Sequence, residues 1–314
     1  MEISIILLKK LIVMFIYMMI GYFLCRAEIL TKKRNKYLSN ILLYIIFPIV
    51  IINSFAIKKT EYNFSGFLDS VVLALISIGV SMLVSHLIYE RYFKFKYGRK
   101  YPVDDIGVAF SSAGFMGIPI VASLFGQKSV FYVSAFAAIL TFLQWTYGVM
   151  VMADSKEYVR IKKIITNPVL ISMIVGFIIY FRNISLPPAI RMGFKLVGYA
   201  NAPVVMIILG VYLAQTDVIK MFRERKIYFS AFIRLIFIPI ITMFAISKIH
   251  ADYTIKLITM IAVSAPVGSN VAIFAEIYGG DYKRAVKIVC LSTILCVITM
   301  PIIIGISERV FSVF

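Results

Sequence analysis

The chain alternates apolar runs of bilayer length with short basic loops, and that alternation limits what it can fold into. A run of about 20 apolar residues is the length a helix needs to cross the roughly 30 Å hydrocarbon layer. Inside that layer every backbone amide and carbonyl needs an internal partner. Ten windows qualify, near Ile5–Cys25, Tyr37–Ala56, Gly66–Tyr89, Asp105–Gly126, Ser129–Met152, Asn167–Arg182, Ala189–Ala214, Ile227–Ser247, Tyr253–Tyr278 and Ala285–Ile306. Hydrophobic residues make up 61% of the 314 and charged residues 15%, against about 25% charged in an average soluble chain. The sequence therefore predicts an all-α polytopic membrane protein, with its first apolar run retained as a span and not cleaved as a leader.

The net charge of +18 raises nucleic acid as a partner, but the placement of the charges argues against it. Lys and Arg divide 20 to 6 between the loops after odd-numbered windows and the other loops and termini. Such bias marks cytoplasmic loops, with anionic lipid headgroups as their partner. It predicts a plasma-membrane protein with both termini outside. Cys25, Cys290 and Cys296 fall in or beside apolar runs with no CxxC, and read as buried thiols rather than a disulfide or metal site.

Two windows read badly as continuous helix. In Ser111–Gly126 (SSAGFMGIPIVASLFG), Gly114, Gly117 and Pro119 crowd the middle; in Val263–Gly280, Pro266 and Gly268 do the same. Proline lacks a donor and clashes with the carbonyl four residues back, and glycine loosens the backbone further. In a membrane, backbone freed this way persists only where it packs in protein or lines a polar cavity. Pro48 and Pro203 occupy matching windows upstream, 71 residues before Pro119 and 63 before Pro266 respectively. A repeat of five spans must be inverted in its second copy. The pattern thus predicts two inverted five-helix repeats, 1–152 and 153–314, with broken crossover helices 4 and 9, a secondary-transporter design.

The half-helices restarting after each break would aim their amides into the gap and favour an anion. The candidate substrate-binding residues are Ser112, Gly114, Gly117, Pro119, Pro266, Gly268 and Asn270, joined by two amides deep in apolar runs, Asn53 and Gln144. Serines can instead bond back to their own helices, and a lone amide can serve an interhelical bond. Arg234, inside the eighth window, reads as snorkelling to the nearby cytoplasmic interface. Glu276 reads as pairing with Lys283 or Arg284, and Asp104 and Asp105 as caps on the fourth helix. His86 alone is thin support for a proton relay. The sequence has no nucleotide-binding loop, HExxH or GxSxG, which disfavours an ATP-driven pump, a metalloprotease or another enzyme.

SSAGFMGIP, with NILLYIIFPIVIINSF upstream and APVGSNVAIFAEIYGGD downstream, resembles the auxin efflux carrier family, which holds plant PIN-FORMED carriers and prokaryotic permeases. The resemblance covers nearly the whole chain. It implies a homodimer in which helices 1, 2, 6 and 7 form the scaffold. Helices 3–5 and 8–10 would form a mobile transport domain working as an elevator. Family members often carry asparagine where this chain has Ser112, and plant carriers have glutamine where it has Val267. Gln144 stands where plant carriers also place a glutamine. The function expected is secondary transport of a small organic anion, a carboxylate such as malate or an auxin-like acid. It needs no cofactor, and coupling to protons, sodium or membrane potential is left open. A passive anion channel and a sensor that keeps a transporter fold are the alternatives.

The topology carries its own test. Cysteines introduced at Lys33 and Arg223 are expected to resist an impermeant thiol reagent in intact cells, and one at Lys58 to react. Labelling at Arg223 in sealed right-side-out membranes would contradict the inverted repeat.

Overall fold

A computed structural model describes residues 2–57, 60–98 and 100–313. Lys58, Lys59 and Arg99, counted among the loop charges above, lie outside them. The described residues form twelve principal helices. In order these are α1 (Glu2–Arg26), α2 (32–55), α3 (61–97), α4 (Pro102–Ala109), α5 (Ala113–Phe125), α6 (Gln127–Ala153), α7 (Pro168–Phe181), α8 (Pro188–Ala214), α9 (Arg225–Ser247), α10 (Tyr253–Ser264), α11 (Asn270–Tyr278) and α12 (Tyr282–Val313). Seven of them, α1, α2, α3, α6, α8, α9 and α12, are long and apolar enough to cross a membrane unaided. The fourth, sixth and ninth windows fall instead on the shorter apolar helices α5, α7 and α10.

The prolines act differently from the simplest expectation. In α2, α5 and α9 a π turn (Leu42–Ile46, Ala113–Gly117 and Ile233–Phe237) ends two residues before Pro48, Pro119 and Pro239. Widening the helix there makes room for a ring that lacks a donor and would strike the carbonyl four residues back. The helix therefore runs on through Gly114, Gly117 and Pro119, and the chain leaves helical geometry upstream, at Phe110–Ser112. Pro203 likewise sits inside an unbroken α8. Only Pro266 lies where a helix stops, between α10 and α11.

Glycines set the closest helix approaches. A Cβ on Gly210 of α8 would fall 1.9 Å from the Met18 carbonyl oxygen of α1, and one on Gly21 2.2 Å from that of Ile207. Gly176 of α7 similarly receives Phe55 of α2. Without a hydrophobic drive between helices in lipid, such small residues let backbones pack closely. They gather α1, α2, α7 and α8 into one group, while α3, α4, α6, α9, α10 and α12 pack mainly on one another. In α3, Ser70, Ser77 and Ser81 each donate to the carbonyl four residues back, at 2.6–2.9 Å, which settles their hydroxyls within the helix.

At the end of the bundle where α3 meets α4, acidic side chains are bound by cations. Arg284 of α12 holds Asp104 through two nitrogens, at 2.7 and 2.8 Å, and reaches Glu224 at 3.1 Å. Lys287 takes the other Glu224 oxygen at 2.7 Å, and Ser230 donates to Asp104 at 2.6 Å. This corrects the expectation that Asp104 and Asp105 cap α4: Tyr101 is the N-cap residue and no side chain bonds the first amides. It also takes Arg284 from Glu276, because the guanidinium is committed to Asp104 and Glu224. In the adjoining loops Lys100 binds Asp154 and holds its carboxyl below the usual range.

Gly210→Val is expected to force α1 and α8 apart and destabilise the protein by about 1–3 kcal/mol. Gly79→Val, where nothing lies within 4 Å, serves as control. Thermal unfolding in detergent measures both; equal midpoints would contradict the packing described.

Candidate functional site

The two interrupted helices meet backbone to backbone. Ser111 and Val267 form an isolated antiparallel bridge. Ser112 N–H donates to the Pro266 carbonyl at 2.7 Å, and Gly268 N–H to that of Phe110 at 3.2 Å. Val267 N–H goes to the Ser292 hydroxyl of α12 at 3.1 Å. Backbone released from helix in a membrane must find such partners, each unmet group costing several kcal/mol. Each interruption supplies the other, so neither would be stable alone.

Four helix ends converge here, and they differ in sign. A helix leaves its last carbonyls and first amides unpartnered, with partial negative charge at the former and positive at the latter. Arg234 serves the carbonyl ends. It is 1% exposed. Its Nη1 donates to the Val108 carbonyl of α4 at 3.0 Å, its Nε to that of Ala265 at 3.3 Å and its Nη2 to that of Val263 at the end of α10. The expectation of snorkelling is thus corrected. One planar cation with several donors can reach two helix ends at once, and the carbonyls solvate its charge better than an interfacial location would require. Arg234 sits in the π turn ahead of Pro239, so the proline helps place it.

The amide ends of α5 and α11 border a cavity of about 820 Å³. Of the residues singled out in the sequence, Ser112, Gly114, Gln144, Gly268 and Asn270 line it. The Asn270 amide donates to Gln144 Oε1 at 2.9 Å, joining α11 to α6. A Cβ on Gly268 would stand 3.1 Å from the Ser111 carbonyl oxygen and 3.4 Å from Gln144 Nε2, so only glycine fits without displacement. The other candidates lie elsewhere. Gly117 packs against the backbone of Ala262 in α10, Pro119 is buried behind it, and Pro266 contributes its carbonyl to the bridge. Asn53 is half-buried on α2, away from the lining. Lining residues that the sequence did not single out include the aromatic Phe47, Phe115, Trp145 and Phe274 and the polar Ser39, Asn40 and Tyr212, with aliphatic side chains between them.

The lining also includes Lys33, Lys36, Asn167 and Tyr282. Ile51 of the lining belongs to a packed cluster with Phe55, Phe67, Phe131 and Tyr180, with Phe177 against it. Phe55 lies at the centre, its ring 4.9 Å from Phe131 and 5.0 Å from Phe177. Ile57 and Tyr132, which pack on this cluster, also line a second pocket of about 510 Å³.

Seven membrane-length helices place the chain in a bilayer, and interrupted helices that meet around one cavity recur in membrane transport proteins. The chain belongs to the membrane transport protein family, the auxin efflux carrier group its motifs resemble; the family's sequence profile matches residues 6–304. An uncharacterized transporter of Methanocaldococcus jannaschii is similar, 25% identical over 213 residues, which are 65% of this chain and 68% of the relative.

Arg234→Met should orphan carbonyls at both helix ends, each at a cost of about 1–3 kcal/mol. Arg234→Lys, with a single ammonium, should fall between it and the parent. Unfolding midpoints in detergent order the three; an Arg234→Met protein as stable as the parent would remove Arg234 from this role.

Proposed function

We propose that the protein is a secondary carrier of a small organic anion, a carboxylate such as malate or an auxin-like acid. The observation that carries this reading is the cavity at the amide ends of α5 and α11, with Arg234 neutralising the opposite ends. The carboxylate would sit against those amides, held by Ser112, Gln144 and Asn270, and the aromatic wall would take the organic part. Lys33 and Lys36 in the lining would draw anions in.

In this reading α4–α5 and α10–α11 are interrupted crossings, giving ten spans in two inverted halves, 1–152 and 153–314. The group α1, α2, α7 and α8 would be scaffold and dimer surface, and the remaining helices would move past it as an elevator. Both termini would lie outside the plasma membrane. The cavity would then face the cytoplasm, with the aromatic cluster around Phe55 closing the outside.

Uptake of labelled malate and related acids into proteoliposomes, under proton and sodium gradients imposed in turn, tests the proposal. Saturable flux is expected. Asn270→Ala is expected to weaken binding about 5- to 150-fold, the equivalent of one unmet buried polar partner at about 1–3 kcal/mol. Binding without flux would indicate a sensor, and flux that never saturates a channel. Parental affinity in an Asn270→Ala, Ser112→Ala double variant would remove these residues from the site.

A further inference from the structure

Asp104 and Asp105 are neighbours on the first turn of α4, both almost wholly buried, and their surroundings are opposite. Asp104 has a bidentate arginine, and the protons around it balance. Tyr89 and Ser230 make two contacts, 2.9 Å to each other and 2.6 Å from Ser230 to Asp104, and two hydroxyl protons serve them. Asp104 is therefore at home as a carboxylate.

Around Asp105 a proton is missing from such a balance. Ser85 Oγ lies 2.7 Å from the Asp105 carbonyl oxygen and 2.5 Å from its Oδ1. A serine hydroxyl has one proton and cannot donate fully to both. Both contacts become hydrogen bonds if the Asp105 carboxyl carries a proton, donating from Oδ1 to Ser85 Oγ while Ser85 donates to the carbonyl. The other oxygen, Oδ2, is buried without a hydrogen-bond partner, which an ionised carboxylate tolerates poorly. Nor does a cation touch Asp105 among the described residues. Arg284 is committed to Asp104 and Glu224, and Arg234 to its three carbonyls.

We infer that Asp105 is a proton-binding site that holds its proton in the conformation described, and that this proton is exchanged during the transport cycle. The exchange rests on the carrier reading above; the bound proton does not. Asp105 sits on the half-helix that ends at the crossing, where the Ile106 carbonyl accepts Phe110 N–H at 3.0 Å. Ionising it requires water to reach that half-helix, so loss of the proton and movement of α4 against α3 are linked. The titratable and charged groups around it come from every packed element. Those that act on it most strongly are His86 and Glu90 on α3 and Asp104 beside it, and Tyr89 on α3 and Tyr147 on α6 in turn feel its charge. The other helices packed on α4 carry Arg234 (α9), Glu276 and Tyr278 (α11) and Arg284 (α12). Of these, Tyr147 and His86 lie within 3.5 Å of each other, His86 being exposed.

Asp105→Asn is the diagnostic variant, because its amide can donate to Ser85 Oγ as the acid does and the fold should survive. Infrared spectra of the purified protein at neutral pH should show a protonated-carboxyl carbonyl band in the parent that is lost in Asp105→Asn and kept in Asp104→Asn. No such band, or a band unchanged by Asp105→Asn, would overturn the bound proton, whatever the protein transports. In proteoliposomes holding a pH-sensitive dye, substrate entry should move protons in the parent. Asp105→Asn should lose at least tenfold of that signal while exchange of labelled for unlabelled substrate persists. Proton movement undiminished in Asp105→Asn would overturn the coupling. Absence of any substrate flux in the parent would overturn the coupling together with the carrier reading and leave the infrared result to decide the proton.

Discussion

The Arg234 guanidinium is the constraint on which the crossing depends. Two helices end in the middle of the protein, and their free carbonyls concentrate negative partial charge where water is excluded. Arg234 brings one full positive charge to both ends, through carbonyls of α4 and of the α10 terminus. The backbone bridge at Ser111 and Val267 can then form between two ends that would otherwise repel. A cation inside a membrane is normally expensive. Here the carbonyls replace its hydration, so the charge and the helix ends stabilise each other.

That arrangement gives the crossing a polarity. With the carbonyl ends neutralised on one side, the amide ends of α5 and α11, whose residues Ser112, Gly114 and Asn270 line the cavity, turn the positive ends of two helix dipoles toward it. Anion preference can thus arise at those amides without a basic side chain touching the anion. The Gln144–Asn270 bond and the tight fit around Gly268 hold α11 and α6 at fixed spacing around those amides. Rigid placement of polar groups is what a binding site needs, and the aromatic wall leaves room for the organic part of a ligand.

Much of this was legible in the sequence, and the parts that were not have physical reasons. The apolar windows, the interruption at Pro266 and the pairing of the two breaks could be read because proline and glycine act locally. The position of the first break could not: the π turn before Pro119 absorbs the ring, and the helix stops instead at Phe110–Ser112, a stretch without proline. Gln144 and Asn270 were visible as amides in apolar surroundings, whereas Asn53 looks the same in sequence and lies off the cavity. Arg234 was misread because a place near the start of a span suits both a snorkelling and a buried arginine. The cost of a mid-span charge was the signal that favours burial, but its partners are backbone carbonyls, which leave no trace in side-chain identity. The contrast between Asp104 and Asp105 depends on Arg284, 180 residues away in the chain, and no local pattern announces it.

Locating a bound anion is the decisive measurement. A cryo-electron-microscopy map of the protein in lipid nanodiscs, with a saturating organic acid it binds, would show where the carboxylate rests. Density is expected at the amide ends of α5 and α11, within about 2.7–3.2 Å of the donors there, with Arg234 still on the carbonyls and not touching the ligand. A carboxylate bound to Arg234 itself, or density away from both amide ends, would contradict that placement.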